Sequence, residues 1–204
     1  TKEEAAPEAE QPAAEEEFAD LAELFKKGEN AFKDGIYYAQ TFTMTDQQSQ
    51  MKTWHKGDKV KSSIVADGDE MINIIDSKTG EFITYSASEK TGMRFKADSG
   101  DSAFMPDTSM TDIASVDEQV DTATFEVVGD EKILGEDCAV ILSKDKATNE
   151  EVKLWVSKKY GITMKMVSKG VDGSEMTIEV TELKVRDIND SEFEVPSDVV
   201  IEEF

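Results

Sequence analysis

The sequence predicts a mainly β chain with few helices, on three observations. From Ala123 to about Ile188, apolar-patterned stretches alternate with tight, charged turns: ATFEVVGDEKI, EDCAVILSK, EEVKLWVSKKYG, ITMKMVSKG and GSEMTIEVTELKVRDI. Their spacing of roughly ten residues, with no helical period between them, signals an antiparallel meander. Many of these stretches are apolar on more than one face, and methionine recurs along them.

Thr1–Glu17 (TKEEAAPEAEQPAAEEE) holds no aromatic and, after Thr1, no β-branched residue. Such a segment buries too little apolar surface to offset its ordering entropy. It predicts a disordered acidic tether of residues 1–17 ahead of a single domain of residues 18–204; a plain solvating tail is the alternative. A helix is predicted over Phe18–Lys33, where Phe18, Leu21, Ala22, Phe25 and Phe32 recur at helical steps and Asp34-Gly35 supplies the stop. Strands follow at about Ile36–Thr45, Ser49–Lys56, Lys59–Ala66, Glu70–Asp76, Glu81–Ser86 and Gly92–Lys96, separated by Thr45-Asp46, Gly57-Asp58, Asp67-Gly68 and Thr79-Gly80.

Asp98–Ser109 breaks this rhythm and reads as a lid or an ordinary surface connection. A short helix is predicted over Asp112–Val120, capped by Thr111, with Ile113, Val116 and Val120 on one face. In Met176–Ile188 the alternation Met176, Ile178, Val180 slips to Leu183, Val185, which predicts a bulge near Thr181-Glu182. Pro196 near the end fits an edge or a departing segment.

The 204 residues suit one domain. A net charge of -23 argues against nucleic acid and against docking of the folded domain on an anionic membrane. No stretch approaches the roughly 18 apolar residues of a membrane span. Cys138 is the one cysteine, so no intramolecular disulfide or CxxC pair exists, and it reads as a small buried hydrophobe.

His55 is the one histidine; beside a turn in TWHKG it reads as a surface or turn residue rather than a catalytic base. Ser99-Gly100-Asp101-Ser102 resembles a hydrolase nucleophile motif but has no later histidine to serve it. Glycine-rich phosphate loops and DxDxDG calcium loops are missing too, so neither cofactor nor metal is expected and an enzyme is disfavoured.

Apolar residues fall on both faces of several strands. Met71 and Ile75 oppose Ile72 and Ile74; Ile36, Tyr38, Phe42 and Met44 oppose Tyr37 and Ala39. Val152, Leu154 and Val156 oppose Trp155, and Ile162, Met164 and Met166 oppose Val167. A long sheet with bulges tends to wrap into a barrel or half-barrel. Met44, Met71, Met164, Met166 and Met176 either fill the space under the helix or line a cavity, since methionine adapts to varied apolar shapes.

The order of the N-terminal helix, YYAQTFTMT, WHKGDKVK, EMINIIDSKTGEFITYS, GDEKILGEDCAVILSK, VKLWVSKKYGITMKM and EFEVPSDV resembles the LolA/LolB-like lipoprotein-carrier superfamily, especially its Gram-positive lipoproteins, from Phe18 to Val199. The resemblance implies an incomplete antiparallel barrel of about eleven strands, with the N-terminal and mid-chain helices covering a concave apolar side. It also implies export and a lipid anchor on a cysteine upstream of the tail, on the outer face of the cell membrane. Shuttling carriers of that superfamily have an arginine after the tryptophan-bearing strand. Here Trp54-His55-Lys56-Gly57-Asp58-Lys59 has none, so apolar binding is expected without that cycle.

The resulting expectation is a non-enzymatic, monomeric protein that holds a lipid or lipoprotein acyl chain. The residues expected to line the cavity are Phe42, Met44, Trp54, Ile64, Met71, Ile74, Tyr85, Phe95, Met164, Met166 and Ile178. The alternative is an envelope interaction or sensor module that recognises a polypeptide through the sheet.

Overall fold

The structure, a computed structural model, describes residues 12–44, 47–66, 68–96, 123–148, 150–170 and 173–204. The expected Asp98–Ser109 connection and Asp112–Val120 helix lie outside them, as do residues 1–11. Among the described residues there is one α-helix, α1 (Pro12–Asp34), followed by β1 (Ile36–Met44), β2 (Gln47–Lys56), β3 (Lys59–Ala66), β4 (Asp69–Asp76), β5 (Glu81–Ser86) and β6 (Thr91–Lys96). The second half supplies β7 (Ala123–Ile133), β8 (Glu136–Asp145), β9 (Glu151–Ser157), β10 (Thr163–Lys169) and β11 (Glu175–Val185), then a 3-10 turn (Asp190–Phe193) and β12 (Val200–Glu203).

The helix starts at Pro12, six residues before the expected Phe18, so residues 12–17 are helical rather than part of a disordered tether. Proline is pre-organised for a first helical turn, alanine and glutamate propagate it well, and the acidic run suits the positive end of the helix dipole.

Among the described residues one twelve-stranded sheet contains every strand, in the order β12-β6-β5-β4-β3-β2-β1-β11-β10-β9-β8-β7. It is open: the two end strands, β12 and β7, do not pair. All neighbours run antiparallel except β12, which joins β6 in parallel and makes a twelfth strand where about eleven were expected. This is the incomplete barrel with an N-terminal helix that the sequence predicts. Pairing of Ala39 with Glu182 and of Gln40 with Val180 leaves Thr181 as an extra residue, so the expected bulge is present.

Cross-strand register assigns two faces. The helix face carries Ile36, Tyr38, Gln40, Phe42 and Met44 of β1, in rows with His55, Thr53 and Met51 of β2 and with Val185, Leu183, Val180, Ile178 and Met176 of β11. On it, Leu21 and Leu24 of α1 pack against Ala139, Ile141, Leu154 and Val156, and Ala31 packs with Ile36, Tyr38, Met164 and Val180. The opposite face carries Tyr37, Trp54, Ile72, Ile74, Ile83 and Tyr85, covered by Ile188 and Phe193 of the C-terminal segment.

Gly28 explains how closely α1 approaches the sheet: a Cβ there would lie 2.6 Å from the Gly161 carbonyl oxygen in the β9–β10 turn. Gly161 itself has φ +68° and faces the Leu24 carbonyl, so neither position has room for a side chain.

Candidate functional site

Among the described residues, α1 packs on one part of its face and the C-terminal segment on one part of the other, which leaves two quadrants of different character. On the opposite face, the open quadrant over β9–β11 is charged. Lys165 pairs with Glu179 at 3.0 Å and Lys169 with Glu175 at 3.8 Å, while Lys153 lies 4.8 Å from the Trp155 ring centroid. Trp155 itself is buried and donates its indole N–H to Glu131 at 2.6 Å, so charged side chains rather than exposed apolar ones form this surface.

The quadrant of the helix face over β3–β6 carries two apolar rows on either side of a polar one, Thr53, Ser62, Asn73 and Thr84. Met51, Ile64 and Met71 stand in one cross-strand row. Val60, Ile75, Phe82 and Phe95 form another. Met71 is 36% exposed and Met93 40%; Val60, Ile64, Phe82 and Phe95 are half-buried and Ile75 is buried. Phe82 and Phe95 stack at 6.2 Å, and Phe204 stacks on Phe95 at 5.5 Å. Further along the same face, Met44 is 56% exposed. Exposed apolar side chains grouped on one face mark interaction sites more often than scattered single residues do.

Under α1 the packing is tighter. A cavity of about 30 Å³ is lined by Phe32, Tyr38, Gln40, Ile162, Thr163, Met164, Lys165, Met166, Ile178 and Val180. It holds about two water-sized groups and no acyl chain. The side chains beneath the helix therefore fill this part of the expected hollow themselves.

Eight of the eleven residues expected to share a site lie on the helix face: Phe42, Met44, Ile64, Met71, Phe95, Met164, Met166 and Ile178. Among them Met164 and Ile178 are buried beside the cavity, whereas Met44 and Met71 are exposed. Trp54, Ile74 and Tyr85 lie on the other face, in the core under the C-terminal segment, and cannot line the same surface. Met51, Met93, Phe82, Gln40 and Thr163 were not singled out by sequence. Period-two alternation flags the first three, but only strand register puts them beside Ile64 and Met71.

Electrostatics separate the two faces further. On the opposite face, Lys56 donates to the Ile188 carbonyl at 2.8 Å and pairs with Asp187 at 2.9 Å and Asp190 at 3.3 Å, clamping the C-terminal segment. The Asp187 hydrogen bond leads in holding the Lys56 ammonium above its ordinary range. Burial, then the hydrogen bond to Glu182, push the Tyr37 phenol up.

His55 is half-buried at the end of β2, just before the Gly57-Asp58 turn: its Nδ1 lies 3.0 Å from the Phe32 carbonyl near the end of α1, and its ring packs edge-on against Phe32. Burial raises the Cys138 thiol, which disfavours a reactive thiolate. Among the described residues no group of His, Cys, Asp and Glu is arranged to hold a metal ion, and no helix is long and apolar enough to cross a membrane.

An open antiparallel sheet backed by an N-terminal helix is the architecture that the sequence's resemblance to LolA-like proteins implies. Residues 32–195 match the family described as "Predicted periplasmic protein (DUF2092)"; the chain belongs to that family, whose setting is extracytoplasmic. No curated protein matches the sequence.

Among solved structures, the MucA/MucB complex of Pseudomonas aeruginosa is matched at 13% identity and a TM-score of 0.60, over 88% of this chain and 62% of that one. An uncharacterized conserved protein from Thermus thermophilus is matched at 9% identity and a TM-score of 0.60, over 90% and 98%. A LolA superfamily protein from Nitrosomonas europaea is matched at 14% identity and a TM-score of 0.36, over 85% and 97%. This chain spans 60–66% of the MucB chains it matches. At such identities the likeness is one of fold.

Proposed function

We propose that this protein is an extracytoplasmic, non-enzymatic binding protein that holds a lipid or lipoprotein acyl chain on the helix face of its sheet. The observation that carries the reading is the contrast between the two open quadrants: one is charged, the other presents Met71, Met93, Phe82, Phe95 and Ile64. The hydrocarbon chain lies on the exposed part of this face, because the cavity under α1 is too small to hold it. Each methylene buried contributes about 0.8 kcal/mol without directional demands, and methionine reshapes to fit it. A lipid anchor upstream of Thr1 would keep such a protein at a membrane surface.

The test is a titration of delipidated protein with a fluorescent acyl probe, comparing wild type with Met71→Asp. Saturable binding that weakens at least tenfold in the variant, at unchanged melting temperature, is the expected result. Absence of saturable binding to wild type, with no lipid retained in native mass spectrometry, would remove the reading.

A second reading has its own support. MucB, which shares the fold, is described in complex with MucA(peri), and a polypeptide segment is the second candidate ligand for this chain. Here β7 is also an eleven-residue end strand that pairs only with β8 among the described residues. Binding of an extended apolar peptide, with no response to acyl probes, would favour this alternative.

A further inference from the structure

The cavity beneath α1 has a polar wall that packing does not explain. Gln40 is 3% exposed, lines the cavity, and its Nε2 has no hydrogen-bond partner; Thr163 Oγ1 on the same lining is also buried and unpartnered. Buried polar groups are ordinarily satisfied, and a native exception calls for an explanation. Two donors on one small cavity are suited to an acceptor with two lone pairs, which is a carbonyl oxygen.

The cavity also has an apolar exit. Ile178, in its lining, pairs with Phe42, and two residues further along the same face Met176 pairs with Met44, the exposed end of the row. An apolar track therefore leads from the polar wall to the surface. Lys165 is the one cation on the lining, and it is already paired with Glu179. A free carboxylate would thus be buried without a counter-ion of its own, which is strongly unfavourable.

Resting on the acyl-binding reading above, we infer that this cavity receives the neutral carbonyl of an ester- or amide-linked acyl chain, accepting from Gln40 Nε2 and Thr163 Oγ1, while its hydrocarbon lies along Ile178, Phe42, Met176 and Met44. The ligand class is then an esterified or amide-linked acyl group rather than a free fatty acid. The volume of about 30 Å³ fits a carbonyl-sized group there, with the chain itself outside on the track.

The test measures the affinity of delipidated protein for methyl palmitate, palmitate and hexadecane, each delivered from cyclodextrin, for wild type, Gln40→Leu and Thr163→Val. Wild type should bind methyl palmitate at least tenfold more tightly than hexadecane or palmitate, and each variant should reduce that preference. Gln40→Leu should melt no lower than wild type, since it removes an unpaired donor; if it fails to fold, Thr163→Val decides. Equal affinity for ester and alkane in wild type, or a preference that survives both substitutions, overturns the carbonyl site and assigns the cavity to ordered water, while leaving acyl binding intact. No binding of any of the three overturns both.

Discussion

Gly28 and Gly161 set how near α1 can come to the sheet, and the effect of changing them separates packing from helix propensity. Alanine inside a helix is favoured over glycine by about 1 kcal/mol. The Cβ at residue 28 would meet a backbone oxygen at 2.6 Å, and such overpacking costs about 1–3 kcal/mol. Gly28→Ala should therefore lower stability by on the order of 1 kcal/mol in urea denaturation; a stabilised variant would show that the helix stands further off.

Asp69 gives a pH-dependent test. Ser88 Oγ donates to its carboxylate at 2.6 Å and Ser86 Oγ at 2.8 Å, and these bonds hold it below its ordinary value of 3.8. A carboxylate whose pKa is depressed on folding contributes stability above that ordinary value and loses it as pH falls through the folded value. The melting-temperature gap between wild type and Asp69→Asn should be widest near neutrality and shrink below pH 3.8. A gap that is constant with pH would mean the charged form is not what the serines stabilise.

Side-chain facing was legible at this scale. Met71 and Ile75 against Ile72 and Ile74, and Val152, Leu154 and Val156 against Trp155, follow from period-two alternation and are found so. Which face of one strand continues onto the next was not legible, because that depends on register. Trp54, Ile74 and Tyr85 were grouped with the wrong face for this reason.

At the scale of elements, most strands lie between turns that the sequence marks with Gly, Asp or Asn or with charged pairs. The exceptions are informative. The helix start was missed because Pro12-Ala-Ala-Glu-Glu-Glu is compositionally a disordered tract yet also a good first turn. The end was legible only as an edge or departing segment; β12 is an edge strand, and since VIEEF lacks alternation its pairing is supplied by tertiary partners.

Those partners are specific. Val200 donates to the Lys90 carbonyl at 2.9 Å, Arg94 bonds Glu203 at 2.8 Å, and Phe204 covers Phe95. Removing residues 200–204 should uncover the edge of β6 and lower the melting temperature by about 2–4 °C for each kcal/mol of stability that the strand supplies. An unchanged melting temperature would mean this clip adds nothing to the fold.

At the scale of the molecule, a single sheet carries two half-cores on opposite faces, one under α1 and one under the C-terminal segment. The family setting is extracytoplasmic, and the chain is strongly acidic overall, with a net charge of -23. Against that background the Met/Phe rows over β3–β6 stand out as the place where apolar contact is available.

Its methionines allow the claim to be read residue by residue, because exposed thioethers oxidise readily and covered ones do not. Mass-spectrometric footprinting with peroxide should oxidise Met44, Met71 and Met93 quickly in the delipidated protein and leave the fully buried Met164 unmodified. Adding an acyl-chain ligand should then protect Met71 and Met93 on the open quadrant, and Met44 at the end of the track. Unchanged oxidation of all three at saturating ligand, or protection confined to other residues, would contradict the account.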